Sequence, residues 1–311
     1  MADHFSAFSF VDRITEFEPG RRARAIYAVP AGIAAFPSCL VAEAVGQLAA
    51  WVAMAHVGFR GRPVAALANE TRFVADVAPG SLLALAVDIE SCDDDAVAYA
   101  GRASVDGATV IELVDCLGPM LPVEEFDSPA ELAARFEVLR GAGAPAGRFR
   151  GVVAPRIVRT GGAPGVSASA TLHVPESAPF FGDHFPRRPV FPATLLLDAE
   201  IGLAMSVAAE ATHWPAGTTP APSRMTHVKM RSFIPPGAGL DIDAGLTPTG
   251  AEGATLRLTA RMDGRIAATA RLDVVARTPA AGPAVGPASA GHRTTQGSMP
   301  PEGGTTTGTG T

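Results

Sequence analysis

One histidine, His184, sits where three prolines fall within seven residues (Pro186, Pro189 and Pro192). Proline fixes φ and lacks an N–H, so this loop has few alternative shapes. The stretch reads Phe180-Phe181-Gly182-Asp183-His184-Phe185-Pro186-Arg187-Arg188-Pro189-Val190-Phe191-Pro192, and it runs into an almost wholly apolar segment, 193–209, that carries Asp198. An imidazole on a stiff loop beside a helix N-terminus can move a proton at neutral pH. On the residues alone, a packed loop histidine is the alternative. Upstream, Glu43 and Gln47 lie four residues apart in a second apolar segment, so on a helix they share a face.

The two segments belong to a repeat. Pro37 precedes Glu43 by six residues, as Pro192 precedes Asp198. Arg72-Phe73 stands seven residues before Pro79-Gly80, as Lys229-Met230 stands before Pro236-Gly237. From Pro79 to Asp106-Gly107 is 27 residues, as from Pro236 to Asp263-Gly264, and the offset between copies is 155 to 157 throughout. Three matched spacings at a nearly constant offset point to duplication.

Each copy reads as a strand, a loop, a long apolar helix and then alternating strands. Pro19-Gly20 is a hairpin turn near the start. Strands are expected over 82–89, 96–105 and 109–113, and again over 240–246, 255–262 and 265–275, with Asp-Gly turns between the last two of each set. One long helix wrapped by an antiparallel sheet is an α+β unit. A lone unit would leave a sheet edge exposed, so the two should pair side by side. The expected division is a first unit over 1–124, a helical connection over 125–150, a second unit over 151–277 and a disordered tail over 278–311. In the connection, Ser128 reads as an N-cap, Pro129 as the first helical residue and Gly141 as the stop.

The chain has 311 residues, is 47% hydrophobic and carries a net charge of −6. Two domains of ordinary size fit that length, and nucleic acid is an unexpected partner for so acidic a chain. The windows 38–57 and 193–209 approach membrane-span length, but each holds a carboxylate, so both are read as buried helices and no membrane span is expected. Cys39, Cys92 and Cys116 show no metal-binding spacing, and no metal site is expected. The N-terminus lacks a signal-peptide pattern. Free thiols and that N-terminus suit the cytoplasm.

The run His-Phe-Pro-x-x-Pro-Val-x-Pro, followed by a helix with a carboxylate fourteen residues after the histidine, resembles the 3-hydroxyacyl-[acyl-carrier-protein] dehydratases of fatty acid synthesis. The Asp12-Arg13 pair and the Glu18-Pro19-Gly20 turn resemble the N-terminus of the same family. The resemblance implies a double hotdog, a pseudo-dimer in one chain. It implies removal of water from a 3-hydroxyacyl thioester to give the trans-2-enoyl product, with the substrate on the phosphopantetheine arm of acyl carrier protein and no other cofactor. Association of two such chains is left open.

In the family's dimer the loop histidine of one unit, the base, faces the helix carboxylate of the other, the acid. Carried over, His184 is the base and Glu43 the acid. Gln47 supports the acid, and the backbone N–H of Ala193, where the family usually has Gly, polarises the thioester carbonyl. Asp198 should face the other histidine position. Counting fourteen residues back from Glu43 puts Val29 there, so that second site should be vestigial. Gly202 stands where a Gln would be. Arg187 replaces a usual Gly, and Arg187, Arg188 and Arg231 are candidates for a basic rim that meets the acidic carrier. Single-chain double hotdogs also resemble polyketide synthase dehydratase domains, although those place the histidine in the first half. A hotdog thioesterase and a non-catalytic carrier-binding partner are the alternatives.

Overall fold

Residues 4–278 are described by the computed structural model. Strands β1 (Arg13–Glu18) and β2 (Arg22–Ala28) form the first hairpin, and Gly20 in its turn takes a φ of 67°. Helix α1 (Ser38–His56) follows Pro37. Short β3 (Gly61–Pro63) and then β4 (Leu67–Phe73), β5 (Leu82–Cys92), β6 (Ala96–Val105) and β7 (Ala108–Pro122) complete the first half. Helix α2 (Pro129–Arg140) has Ser128 at its N-cap, where the hydroxyl accepts from the Glu131 N–H. The second half holds β8 (Arg156–Ala163), β9 (Ser167–His173), helix α3 (Ala193–Glu210), β10 (Thr219–Met230), β11 (Gly239–Pro248), β12 (Gly253–Met262) and β13 (Arg265–Arg277). The Asp106-Gly107 and Asp263-Gly264 turns have positive φ at all four residues, the geometry of two-residue hairpins.

The main sheet is antiparallel throughout, in the order β1-β2-β5-β6-β7-β4-β10-β13-β12-β11-β9-β8. The order is a palindrome about the β4–β10 pair. There the two halves join, with Thr71 opposite Met225 and Ala68 opposite Val228. Both inner sheet edges are thereby closed. Helices α1 and α3 pack on the sheet and on each other. Leu40, Leu48 and Val52 of α1 and Leu196, Ala204 and Val207 of α3 are buried in one core with sheet residues such as Leu83, Ile111, Leu256 and Leu272. This is the double hotdog that the sequence implies. Helix α1 is long and apolar enough to cross a membrane by length and composition, but 61% of its most apolar stretch is buried inside the protein.

One expectation needs correcting. Counting from the carboxylates equates Val29 with His184, and the sheet does not. The Val29 N–H donates to the Ser81 carbonyl, as the Val174 N–H donates to Ala238. Val29 therefore corresponds to Val174 at the end of the preceding strand. Between strand and helix the first half has nine residues (29–37), where the second has nineteen (174–192). The first half lacks the histidine loop itself, and Phe36 of its short loop packs among Phe10, Tyr27 and Phe149. The tail expected over 278–311 lies, apart from Thr278, outside the described residues.

Candidate active site

The loop of 174–192 is fastened at several points. A 3-10 turn spans Pro179–Gly182, and the His184 N–H donates to Phe180 O at 2.8 Å. The Arg187 N–H reaches Phe126 O, and the Phe191 N–H reaches Ile234 O. The His184 ring is stacked on Phe185 at 4.2 Å and meets the edge of Phe8 at 5.7 Å. Its Nδ1 lies 2.9 Å from Val190 O. A carbonyl only accepts, so Nδ1 carries the proton and Nε2 holds the free lone pair. Burial holds the imidazole pKa below its ordinary value. Glu43 pulls it the other way, and the Arg62 guanidinium adds to the lowering.

Helix α1 presents Ala42, Glu43, Gly46, Gln47 and Ala50 to a cavity, a stripe at spacings of one, three and four residues along one helix face. Glu43 Oε1 accepts from Gln47 Nε2 at 3.0 Å. Its Oε2 accepts from the Thr194 hydroxyl at 2.8 Å, a bond from the first half to the second. Thr194 and Ala193 open α3. Pro192 supplies no side-chain cap there, so the first N–H groups of the helix point outward. His184, Glu43, Gln47, Ala193 and Thr194 all line the same cavity of about 240 Å³. Apolar side chains from both halves, Trp51, Met54, Tyr99, Leu113, Leu197 and Val228 among them, form much of the remaining wall.

Asp198 does not line this cavity. It is half-buried on α3, and desolvation raises its pKa. Cys39 is buried beside it, and burial, with Asp198, Glu200 and Glu43 near, keeps its thiol protonated. Arg187 donates to Glu124 O, Arg188 pairs with Glu125 at 3.0 Å, and Arg231 is exposed.

Sequence reasoning missed five groups. Thr194 is one, and the repeat contained its signal, because Thr194 stands 155 residues after Cys39 as Asp198 does after Glu43. The others form a buried polar cluster. Arg62 lies over the Phe185 ring at 4.3 Å and pairs with fully buried Asp127 at 3.0 Å. His4 bridges Asp127 and Asp183 at 3.3 and 3.2 Å. Burial alone would lower the His4 pKa, but the two carboxylates outweigh it and push it up to about 9. Glu131 brings a carboxylate oxygen within 4.8 Å of His4 and Asp127, a grouping that could take a metal ion, although Asp127 is already paired with Arg62. Long-range pairings of this kind leave no spacing in the sequence.

Comparison with known proteins places each half separately. A FabA-like domain model matches residues 4–114, and an ApeI dehydratase model matches residues 163–269. The 3-hydroxyacyl-[acyl-carrier-protein] dehydratase FabZ of Syntrophotalea carbinolica is 32% identical over 121 residues, which is 35% of this chain and 82% of that protein. The enzyme of the same name from Symbiobacterium thermophilum is 33% identical over 97 residues, 28% of this chain and 68% of that protein. Among solved structures, a tesB protein of Mycobacterium avium subsp. paratuberculosis superposes with a TM-score of 0.53 at 14% identity, over 84% of this chain and 95% of that one. A Lactobacillus plantarum protein described as an oleoyl thioesterase gives 0.54 at 11% identity, over 83% and 97%. At such identities these two likenesses are of fold alone.

Proposed function

The chain belongs to the 3-hydroxyacyl-[acyl-carrier-protein] dehydratase family, and from that premise we propose that it dehydrates a carrier-bound 3-hydroxyacyl thioester at one composite site. The first hotdog, 1–124, supplies the acid, and the second, 151–277, supplies the base, with 125–150 joining them. The observation that carries this reading is the shared cavity, in which Glu43 of one half is bonded to Thr194 of the other and lines the wall together with His184.

The step balances as follows. Nε2 of His184 takes the proton from the carbon next to the thioester carbonyl. Those electrons form the new C=C bond as the bond from the next carbon to its hydroxyl breaks. The hydroxyl leaves as water with a proton delivered by the Glu43 carboxyl as general acid. The N–H groups at the start of α3, that of Ala193 foremost, stabilise the charge that grows on the carbonyl oxygen. Gln47 and Thr194 hold the Glu43 carboxyl in place. The acyl chain lies in the apolar part of the cavity. Exposed Arg187 and Arg231 face an acidic carrier protein, while Arg188 shares its charge with Glu125. The cytoplasm is the compartment where such a carrier would meet it.

The test is to incubate the full chain with 3-hydroxyacyl-carrier thioesters from butyryl to decanoyl and follow products by mass. Loss of water is expected. Release of free acid would instead establish a thioesterase. Binding with no turnover at any chain length would establish a non-catalytic carrier partner.

A further inference from the structure

The segment that precedes β1 forms part of the wall of this site, and nothing in the proposed chemistry uses it. Phe5, Phe8 and Ser9 line the cavity with His184 and Glu43. Phe8 is 2% exposed and lies among Phe10, Phe180 and the His184 ring. Asp183, the residue before the base, is 6% exposed and points at this segment. One of its oxygens accepts the Phe5 N–H. The other accepts the Ala7 N–H at 2.8 Å and the Phe8 N–H at 2.7 Å.

Gln47 completes the fastening from the other side. Its Oε1 accepts the Phe10 N–H at 2.8 Å, and its Nε2 donates to Phe8 O at 2.9 Å as well as to Glu43. Phe5 is held at a φ of 64°, a left-handed conformation that a bulky residue takes only when its surroundings impose it. Its carbonyl and ring both meet Arg135. Three main-chain donors on one buried carboxylate are more than loop packing requires.

We propose that Asp183 is a positioning residue that clamps residues 5–8 over the site, so that Phe8 shields His184 from water and Phe5 and Phe8 form one wall of the acyl cavity. The proposal rests on the dehydratase reading for the identity of the acyl ligand, but the clamp and the shield are properties of the free protein. The base and the wall beside it are thus set by neighbouring residues, Asp183 and His184, on one rigid loop.

The experiment uses the full chain as wild type, Asp183→Asn and Phe8→Ala. Two quantities are read by NMR: amide exchange at Phe5, Ala7 and Phe8, and the titration midpoint of the His184 ring. Glu43 on α1 and Arg62 on β3, the charged groups that face that ring, are unchanged in both variants. In Asp183→Asn, exchange at the three amides quickens on the order of tenfold while α1 and α3 stay protected. The His184 midpoint rises toward 6.5, because water reaches the ring. Loss of the neighbouring negative charge alone would move the midpoint down, so the sign separates shielding from a plain charge effect. In Phe8→Ala the midpoint rises while Phe5 and Ala7 keep their slow exchange.

Unchanged exchange in Asp183→Asn overturns the clamp. A midpoint that stays or falls in both variants overturns the shield. If Asp183→Asn does not fold, Phe8→Ala decides the shield alone. Wild type that dehydrates none of the butyryl-to-decanoyl series would sink the dehydratase reading and leave these outcomes standing. Where the wild type does turn over, Phe8→Ala raises KM for the longer chains more than it lowers kcat.

Discussion

An imidazole whose Nδ1–H is committed to a carbonyl has one lone pair to offer, and for His184 that lone pair is on Nε2. Removing the ring in His184→Ala should lower kcat/KM by about 10²- to 10⁴-fold with little change in melting temperature. The pH dependence has a definite sign. Burial disfavours the charged ring, so its folded pKa lies below the ordinary 6.5. The base is then neutral and competent at lower pH than free imidazole, and the acid limb of kcat/KM should fall below 6.5. A limb above that value would mean that the ring is solvated. Thr194→Val removes one of the two hydrogen bonds on Glu43 and should reduce kcat/KM on the order of tenfold, with secondary structure by circular dichroism unchanged. His184, Glu43 and Gln47 were singled out in the sequence through the family resemblance of the His-Phe-Pro run and its carboxylate spacing, and the structure brings all three to one cavity. Asp183, Arg62, Asp127 and His4 were not singled out, because their partners lie 65 to 179 residues away.

At the scale of elements, the two long helices and the hairpins were legible from apolar length, prolines and Asp-Gly turns. Strand β10 was not, since Pro220 and Pro222 break its pattern, and β7 runs on to Pro122, well past the alternation that marked its start. The histidine loop was located but its counterpart was miscounted. A nearly constant offset of 155 to 157 holds from the helix onward and fails before it, where the first half is shorter.

Helix α3 also carries Glu200, 1% exposed, with neither carboxylate oxygen hydrogen-bonded. Burial pushes its pKa from 4.5 up to about 8. The unfolded chain ionises this group from 4.5 upward and the folded chain only near 8, so stability is lost progressively between those pH values. Glu200→Gln should abolish that loss and be more stable at pH 8 by roughly 2–4 kcal/mol in urea titrations. Parallel pH–stability curves for the two proteins would contradict it. On α1, an ideal Cβ at Gly46 would sit 3.3 Å from the Tyr99 hydroxyl. Gly46→Val narrows the cavity there, so turnover of decanoyl substrate should fall while butyryl turnover persists.

At the scale of the molecule, a duplicated chain divides, on the proposed reading, the work of a symmetric dimer. The palindromic sheet keeps both halves in one register through β4 and β10. Within that symmetry, the first half keeps Glu43 and Gln47 and has no histidine loop, and the second keeps the loop and has Gly202 where a Gln would stand. The proposed complementary loss came from residue identities at a constant offset set against the family's pattern. The ten-residue difference in loop length was not readable in the sequence, because an absence leaves no motif.

The central claim is one composite site per chain, made from both halves. It is tested most directly by comparing turnover of a 3-hydroxyacyl-carrier thioester by wild type, His184→Ala, Glu43→Gln and Asp198→Asn. The account predicts activity in wild type and Asp198→Asn, and its loss in both His184→Ala and Glu43→Gln. Full activity in Glu43→Gln, with loss in Asp198→Asn, would contradict it.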